Sequence, residues 1–137
     1  MASKELIDGL QHALNREVST FLRYMLQSSM IKGIQNQPVR DMYGAEVTDE
    51  IGHAQYLADK IVMLGGKPKL APDLTPPPDD VAAMLKNDIA EEHKDVEHYQ
   101  KLAELAEKDD LIELKLKMED QAADEQGHAL DMQRLLG

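Results

Sequence analysis

Apolar positions recur along this chain in alternating steps of four and three residues, in four separate runs. That spacing marks one face of a helix packed in a bundle. The first run has the seam Leu10, Leu14, Glu17, Phe21, Tyr24, Ser28, Ile31. It predicts a helix capped by Ser3, reaching about Lys32 and stopped by Gly33. The second has Val39, Tyr43, Glu46, Glu50, His53, Leu57 and Leu64, with Lys60 or Ile61 between the last two. It predicts a helix from about Pro38 to Leu64, closed by Gly65-Gly66. The third, capped by Asp79 or Asp80, has Leu85, Asp88, Glu92, Asp95, Tyr99, Leu102 and Ala106 and runs to about Lys108. A neighbouring seam substitutes Ile89, Val96 and Ala103. Asp109-Asp110 mark a turn, and the fourth seam is Leu111, Leu114, Met118, Gln121, Glu125, His128, Met132, Leu135.

Between the second and third runs, Lys67 to Pro78 holds five prolines and reads as extended chain. A helix of ~27 residues is about 40 Å long, and a connection of ~13 residues spans at most about 45 Å. The connection can therefore run the length of a bundle and leave the second and third helices parallel. The expected fold is all-α, one domain over residues 1–137, a four-helix bundle with a long crossover between helices 2 and 3.

Composition agrees with this and removes other classes. Hydrophobic residues make up 42% of the chain, and Leu, Ala, Glu, Lys, Gln and Met outnumber strand formers. The formal net charge of −11 argues against nucleic-acid binding and suits attraction of metal cations. With no cysteine, disulfides, iron–sulfur clusters and thiolate zinc sites are excluded. No apolar run approaches a membrane span and the start lacks a signal pattern, so the expected location is cytoplasmic.

The polar residues interrupting the seams fall into an internal repeat. Asp49 to Ala54 reads D-E-I-G-H-A, and Asp124 to Ala129 reads D-E-Q-G-H-A. Glu17 precedes Glu50 by the same interval at which Glu92 precedes Glu125. Tyr24 and Tyr99 are separated by the same repeat length as Glu50 and Glu125. This register selects Glu92 over its neighbour Glu91. Glu-x-x-His on a helix aims a carboxylate and an imidazole at one point. Two such pairs, each joined by a further Glu, form a di-metal carboxylate pattern.

The expected ligands are Glu17, Glu50, His53, Glu92, Glu125 and His128, with Glu50 and Glu125 bridging. Four glutamates cannot stay ionised in a core unaided, and two divalent cations balance them. Oxygen-rich ligation with one imidazole per ion suits two iron ions, with manganese or zinc as other occupants.

Tyr24 and Tyr99 are candidate catalytic residues, orienting ligands or donating electrons; the plainer reading is packing with one hydrogen bond. Glu46 is expected within reach of the site, and Asp95 to be a solvated helix residue. Gly52 and Gly127 suggest close helix approach. His12, His93 and His98 read as surface residues.

These motifs, with Leu64-Gly65-Gly66-Lys67-Pro68 and Asp88 to Glu92, resemble bacterioferritin and its ferritin-like relatives over nearly the whole chain. The resemblance implies a ferritin-like four-helix bundle and a ferroxidase centre that oxidises Fe(II) with O2 or H2O2, in iron storage or detoxification. Ile51 stands where haem-binding members place the haem-ligating Met, so haem is not expected. The stretch after His128 is too short for the fifth helix of the 24-subunit cages. A homo-oligomer is expected, as a dimer or a smaller shell. The doubled Tyr also resembles rubrerythrin-type di-iron peroxidases, with Asp95 as an extra carboxylate. A non-catalytic metal-binding bundle is the remaining alternative.

Overall fold

The computed structural model describes residues 1–137. Four helices form: α1 (Lys4–Met30), α2 (Gln37–Met63), α3 (Val81–Lys108) and α4 (Ile112–Leu136), with a 3-10 turn at Ile34–Asn36. Each begins and ends within a few residues of its sequence signals. The Ser3 side chain accepts from Leu6 N, and that of Asp80 accepts from Ala83 N, so two of the helix starts carry side-chain caps.

The helix ends are set by backbone geometry. After α2, Gly65 adopts φ 90° and lets Gly66 N donate to Ile61 O and Gly65 N donate to Val62 O. This paired arrangement satisfies carbonyls that the helix itself leaves open. After α3, Asp110 takes the glycine's place at φ 57°, and Leu111 N donates to Ala106 O. Aspartate is one of the few residues with a side chain that visits this region readily.

Cross-helix contacts give the directions. Ser3 meets Asp109, Gly9 meets His98, and Gln27 meets Asp88, so α1 and α3 run antiparallel. Lys60 with Glu113 and Asp49 with His128 make α2 and α4 antiparallel. Since α1 and α2 are joined by a tight turn, α2 and α3 point the same way. The proline-rich crossover makes this possible. It lies along α1, with Lys67 and Lys69 carbonyls accepting from Gln11 and Asn15, and Asp73 N donating to Ser19 Oγ.

The seams pack inward as two apolar clusters. One, at the end of the bundle holding the α1 N-terminus, includes Leu6, Leu10, Leu57, Leu102, Leu114 and Met118. The other includes Tyr24, Ile31, Val39, Tyr43, Met84 and Met132. The polar belt of all four helices lies between them. Small register shifts appear: Gln27 is buried where the seam predicts Ser28, and Ile61 rather than Lys60 faces the core.

Candidate metal centre

Each helix contributes to the belt from its middle turns. Glu17, Glu50, His53, Glu92, Glu125 and His128 are all buried, none more than 8% exposed. The structure brings these six side chains together in two overlapping groups. Glu17, Glu50, His53 and Glu125 form one; Glu50, Glu92, Glu125 and His128 form the other. Within each group the candidate ligand atoms lie within 4.8 Å of one another. Glu50 and Glu125 belong to both.

Hydrogen bonding is divided so that one side of each ligand is tied and the other left open. Tyr24 Oη donates to Glu92 Oε1 at 2.5 Å, and Tyr99 Oη donates to Glu17 Oε1 at 2.7 Å. Each tyrosine thus serves the glutamate of the other half-repeat. His53 Nε2 lies 3.1 Å from Asp124 Oδ2, and His128 Nε2 lies 3.3 Å from Asp49 Oδ2. These aspartates are the first letters of the two D-E-x-G-H-A copies, exchanged between α2 and α4. Their role was missed in the sequence, although their place in both copies was visible. A carboxylate on the far ring nitrogen turns the near one, Nδ1, towards the centre.

The open atoms are Glu17 Oε2, Glu92 Oε2, both oxygens of Glu50 and Glu125, and Nδ1 of both histidines. All are buried and have no hydrogen-bond partner. His53 Nδ1 is 3.0 Å from Glu125 Oε1, and His128 Nδ1 is 3.2 Å from Glu50 Oε1, but without hydrogen-bond geometry. Stranded donors and acceptors of this kind are costly in a core. Their number, their convergence and their oxygen-plus-imidazole chemistry fit two metal ions.

Electrostatics points the same way. Burial, reinforced by Glu17, pushes the Glu50 and Glu125 carboxyls well above the usual range. Burial works against charge on His128, yet the close carboxylates of Glu50 and Glu92 outweigh it and push the imidazole up to about 12. His53 is raised in the same way: burial opposes its charge, but Glu17 and Asp124 prevail. For Glu92, burial is outweighed by its close neighbours Glu125 and His128 and by the hydrogen bond from Tyr24, and its carboxyl is lowered. Without cations, the cluster holds together by retaining protons.

Other expectations change. Gly52 and Gly127 do not bring helices into close approach, since a Cβ at either would meet nothing within 4 Å. They line a cavity of about 640 Å³ between α2 and α4, together with Asp49, His53, Asp124 and His128. Asp95 is not solvated. It is 3% exposed and ion-paired with Arg16, a residue whose inward reach gave no sequence signal. Asp95 belongs to neither ligand group. Glu46 is 4% exposed rather than partly exposed, but it belongs to neither ligand group. His12 and His93 are exposed, whereas His98 is half-buried, with Nε2 2.9 Å from Gly9 O.

Fold and site together define an all-α bundle with a paired carboxylate–histidine cluster at its centre. The family model described as a ferritin-like domain matches residues 7–136, and the chain belongs to that family. A ferritin-like, diiron-carboxylate protein from Bacillus anthracis is similar at 37% identity and TM-score 0.93, covering 98% of this chain and 96% of that one. The bacterioferritin-related dodecameric thioferritin of Bacteroides fragilis is 26% identical, with TM-score 0.88 and coverage of 97% and 84%. Rhodobacter capsulatus bacterioferritin shares the fold at 22% identity and TM-score 0.84, covering 99% and 86%. No curated protein matches the chain. No helix is long and apolar enough to cross a membrane.

Proposed function

We propose that this chain is a di-iron ferroxidase that oxidises Fe(II) with O2 or H2O2 in iron storage or detoxification. The observation that carries this is the set of buried, unpartnered ligand atoms arranged as two groups sharing Glu50 and Glu125. Glu17 and His53 would complete one ion's ligation, and Glu92 and His128 the other's. Four carboxylates match the charge of two divalent cations. The similarity to the Bacillus anthracis diiron-carboxylate protein supports iron as the occupant.

Bound as a pair, the ions supply the redox chemistry. The chain's own residues set its conditions. Tyr24 and Tyr99 hold one oxygen of Glu92 and Glu17 and leave the other to ligate. Asp49 and Asp124 fix the two imidazoles. The α2–α4 cavity, lined by Gly52, Gly127 and both histidines, would give a small oxidant and Fe(II) a path to the histidine edge. We further propose a homo-oligomer, a dimer or a small shell, as supported by the dodecameric Bacteroides fragilis relative.

The test is aerobic addition of Fe(II), followed at near-ultraviolet wavelengths. Oxidation faster than in buffer, and lost in Glu17→Ala and Glu92→Ala, is the expected result. A rate equal to that in buffer refutes the proposal and leaves a structural metal site. Solution mass with and without iron reads the assembly.

A further inference from the structure

The two halves of the belt carry the same candidate ligands but not the same surroundings. The repeat step that takes Glu50 onto Glu125 also takes Glu46 onto Gln121. Each lies about one helical turn before the glutamate that both ligand groups share. Glu46 is 4% exposed and Gln121 1%. Glu46 Oε2 and both amide atoms of Gln121 have no hydrogen-bond partner. An acid and an amide thus stand at equivalent buried places, with these atoms left free to act on the belt.

Each belongs to one half. The contacts already described obey the repeat: Tyr24 with Glu92 answers Tyr99 with Glu17, and Asp49 with His128 answers Asp124 with His53. Glu46 is faced by His128, Glu92, Asp131 and Asp49. The repeat therefore sets Gln121 towards His53 and Glu17, and Gln121 lines the α2–α4 cavity with His53 and Asp124. Two further differences lean the same way. Asp131, close after His128, stands where the other half has Tyr56. Lys117, which stands where the other half has Met42, lies over the Tyr56 ring at 5.3 Å. The remaining charges nearby are balanced. Asp49 and Asp124 match each other, Lys60 is paired with Glu113, and the buried acids Asp88 and Asp95 are paired with Arg23 and Arg16. The His128 side is left with the acids Glu46 and Asp131, and the His53 side with an amide, a phenol and a lysine.

We propose that this asymmetry fixes the order of loading: the position completed by Glu92 and His128 takes the first divalent cation, and Glu46 is the residue that decides it. This rests on reading the belt as a two-metal centre. A carboxylate near a dication, incompletely screened by water, raises its affinity by about tenfold or more. Gln121 offers the other position only a neutral amide, and Lys117 at the cavity wall repels a cation. The second ion also meets shared glutamates whose charge the first has partly neutralised. It binds more weakly and is the one that exchanges with solution. For Fe(II) oxidation, the His53 position becomes the one at which iron arrives last and departs first.

The test is zinc anomalous scattering from crystals of protein given half an equivalent of zinc per chain. The expected occupancy beside His128 is about tenfold that beside His53. Glu46→Gln removes a buried acid at nearly constant shape and should cut this ratio several-fold. Gln121→Glu, which gives the other half its own acid, should do the same. In solution, competition with a chromophoric chelator should show the first binding step weakened about tenfold in Glu46→Gln. Zinc shared equally in wild type, zinc first beside His53, or a ratio and first step unchanged by Glu46→Gln overturns this proposal. Absence of zinc from the belt overturns the two-metal reading with it. Ordered zinc in a protein that does not accelerate Fe(II) oxidation refutes the ferroxidase reading and leaves the order standing.

Discussion

Glu46→Gln in the metal-free protein isolates the cost of burying one acid beside the metal belt. Glu46 is 4% exposed, and its Oε2 has no hydrogen-bond partner. Burial pushes its carboxyl from 4.5 up to about 8; His128 opposes this, and Glu92, Asp131 and Asp49 add to it. Below pH 4.5 both folded and unfolded states hold the proton, and Glu46 contributes no pH dependence. Between there and about 8 the unfolded chain ionises first, so folded stability falls as pH rises. At about 1.4 kcal/mol per pH unit, the full cost above that window is roughly 5 kcal/mol. Glutamine removes this cost but leaves a buried amide short of partners, worth about 1–3 kcal/mol. The net expectation is a gain of about 2–4 kcal/mol at pH 8.5 that vanishes or reverses at pH 5. Urea unfolding of both proteins in chelator, at equal protomer concentration, measures it. A difference that is the same at both pH values refutes the reasoning. Added zinc should shrink the gain, because cations at the belt favour ionised Glu46.

Asp124→Asn should weaken divalent metal binding about 10–100-fold by freeing the His53 ring; competition with a chromophoric chelator reads this, and unchanged affinity contradicts the orienting role. Loading two ions near pH 7 should release protons, because Glu50, Glu125 and the two histidines hold them above their ordinary range. Affinity should therefore weaken as pH falls, and titration calorimetry in buffers of different ionisation heat gives the proton count. Gly52→Ala meets open space in mid-helix and should stabilise the fold by up to about 1 kcal/mol; a lower melting temperature would argue against this account of the α2–α4 opening.

The four helices, their caps and the parallel placement of α2 and α3 were legible in the chain. Seam spacing and a proline-rich connection too long for a turn are local signals, and local signals survive in sequence. The six belt residues were legible for a different reason. The repeat copies their spacing from one half of the chain to the other, so each half validates its twin. What pairs with what was not legible. That Tyr24 serves Glu92 rather than Glu17, or that Asp124 holds His53, depends on which helices face each other across the core. Asp95 looked solvated because nothing along the chain reveals that Arg16 reaches it from α1. Gly52 and Gly127 looked like sites of close approach because glycine permits both contact and gap; the separation of α2 from α4 decides between them. Sequence thus determined which residues lie on the inner faces, because helical periodicity is a property of the chain. Tertiary structure alone decided their partners and their access to solvent, because both depend on distances between segments that no local pattern encodes.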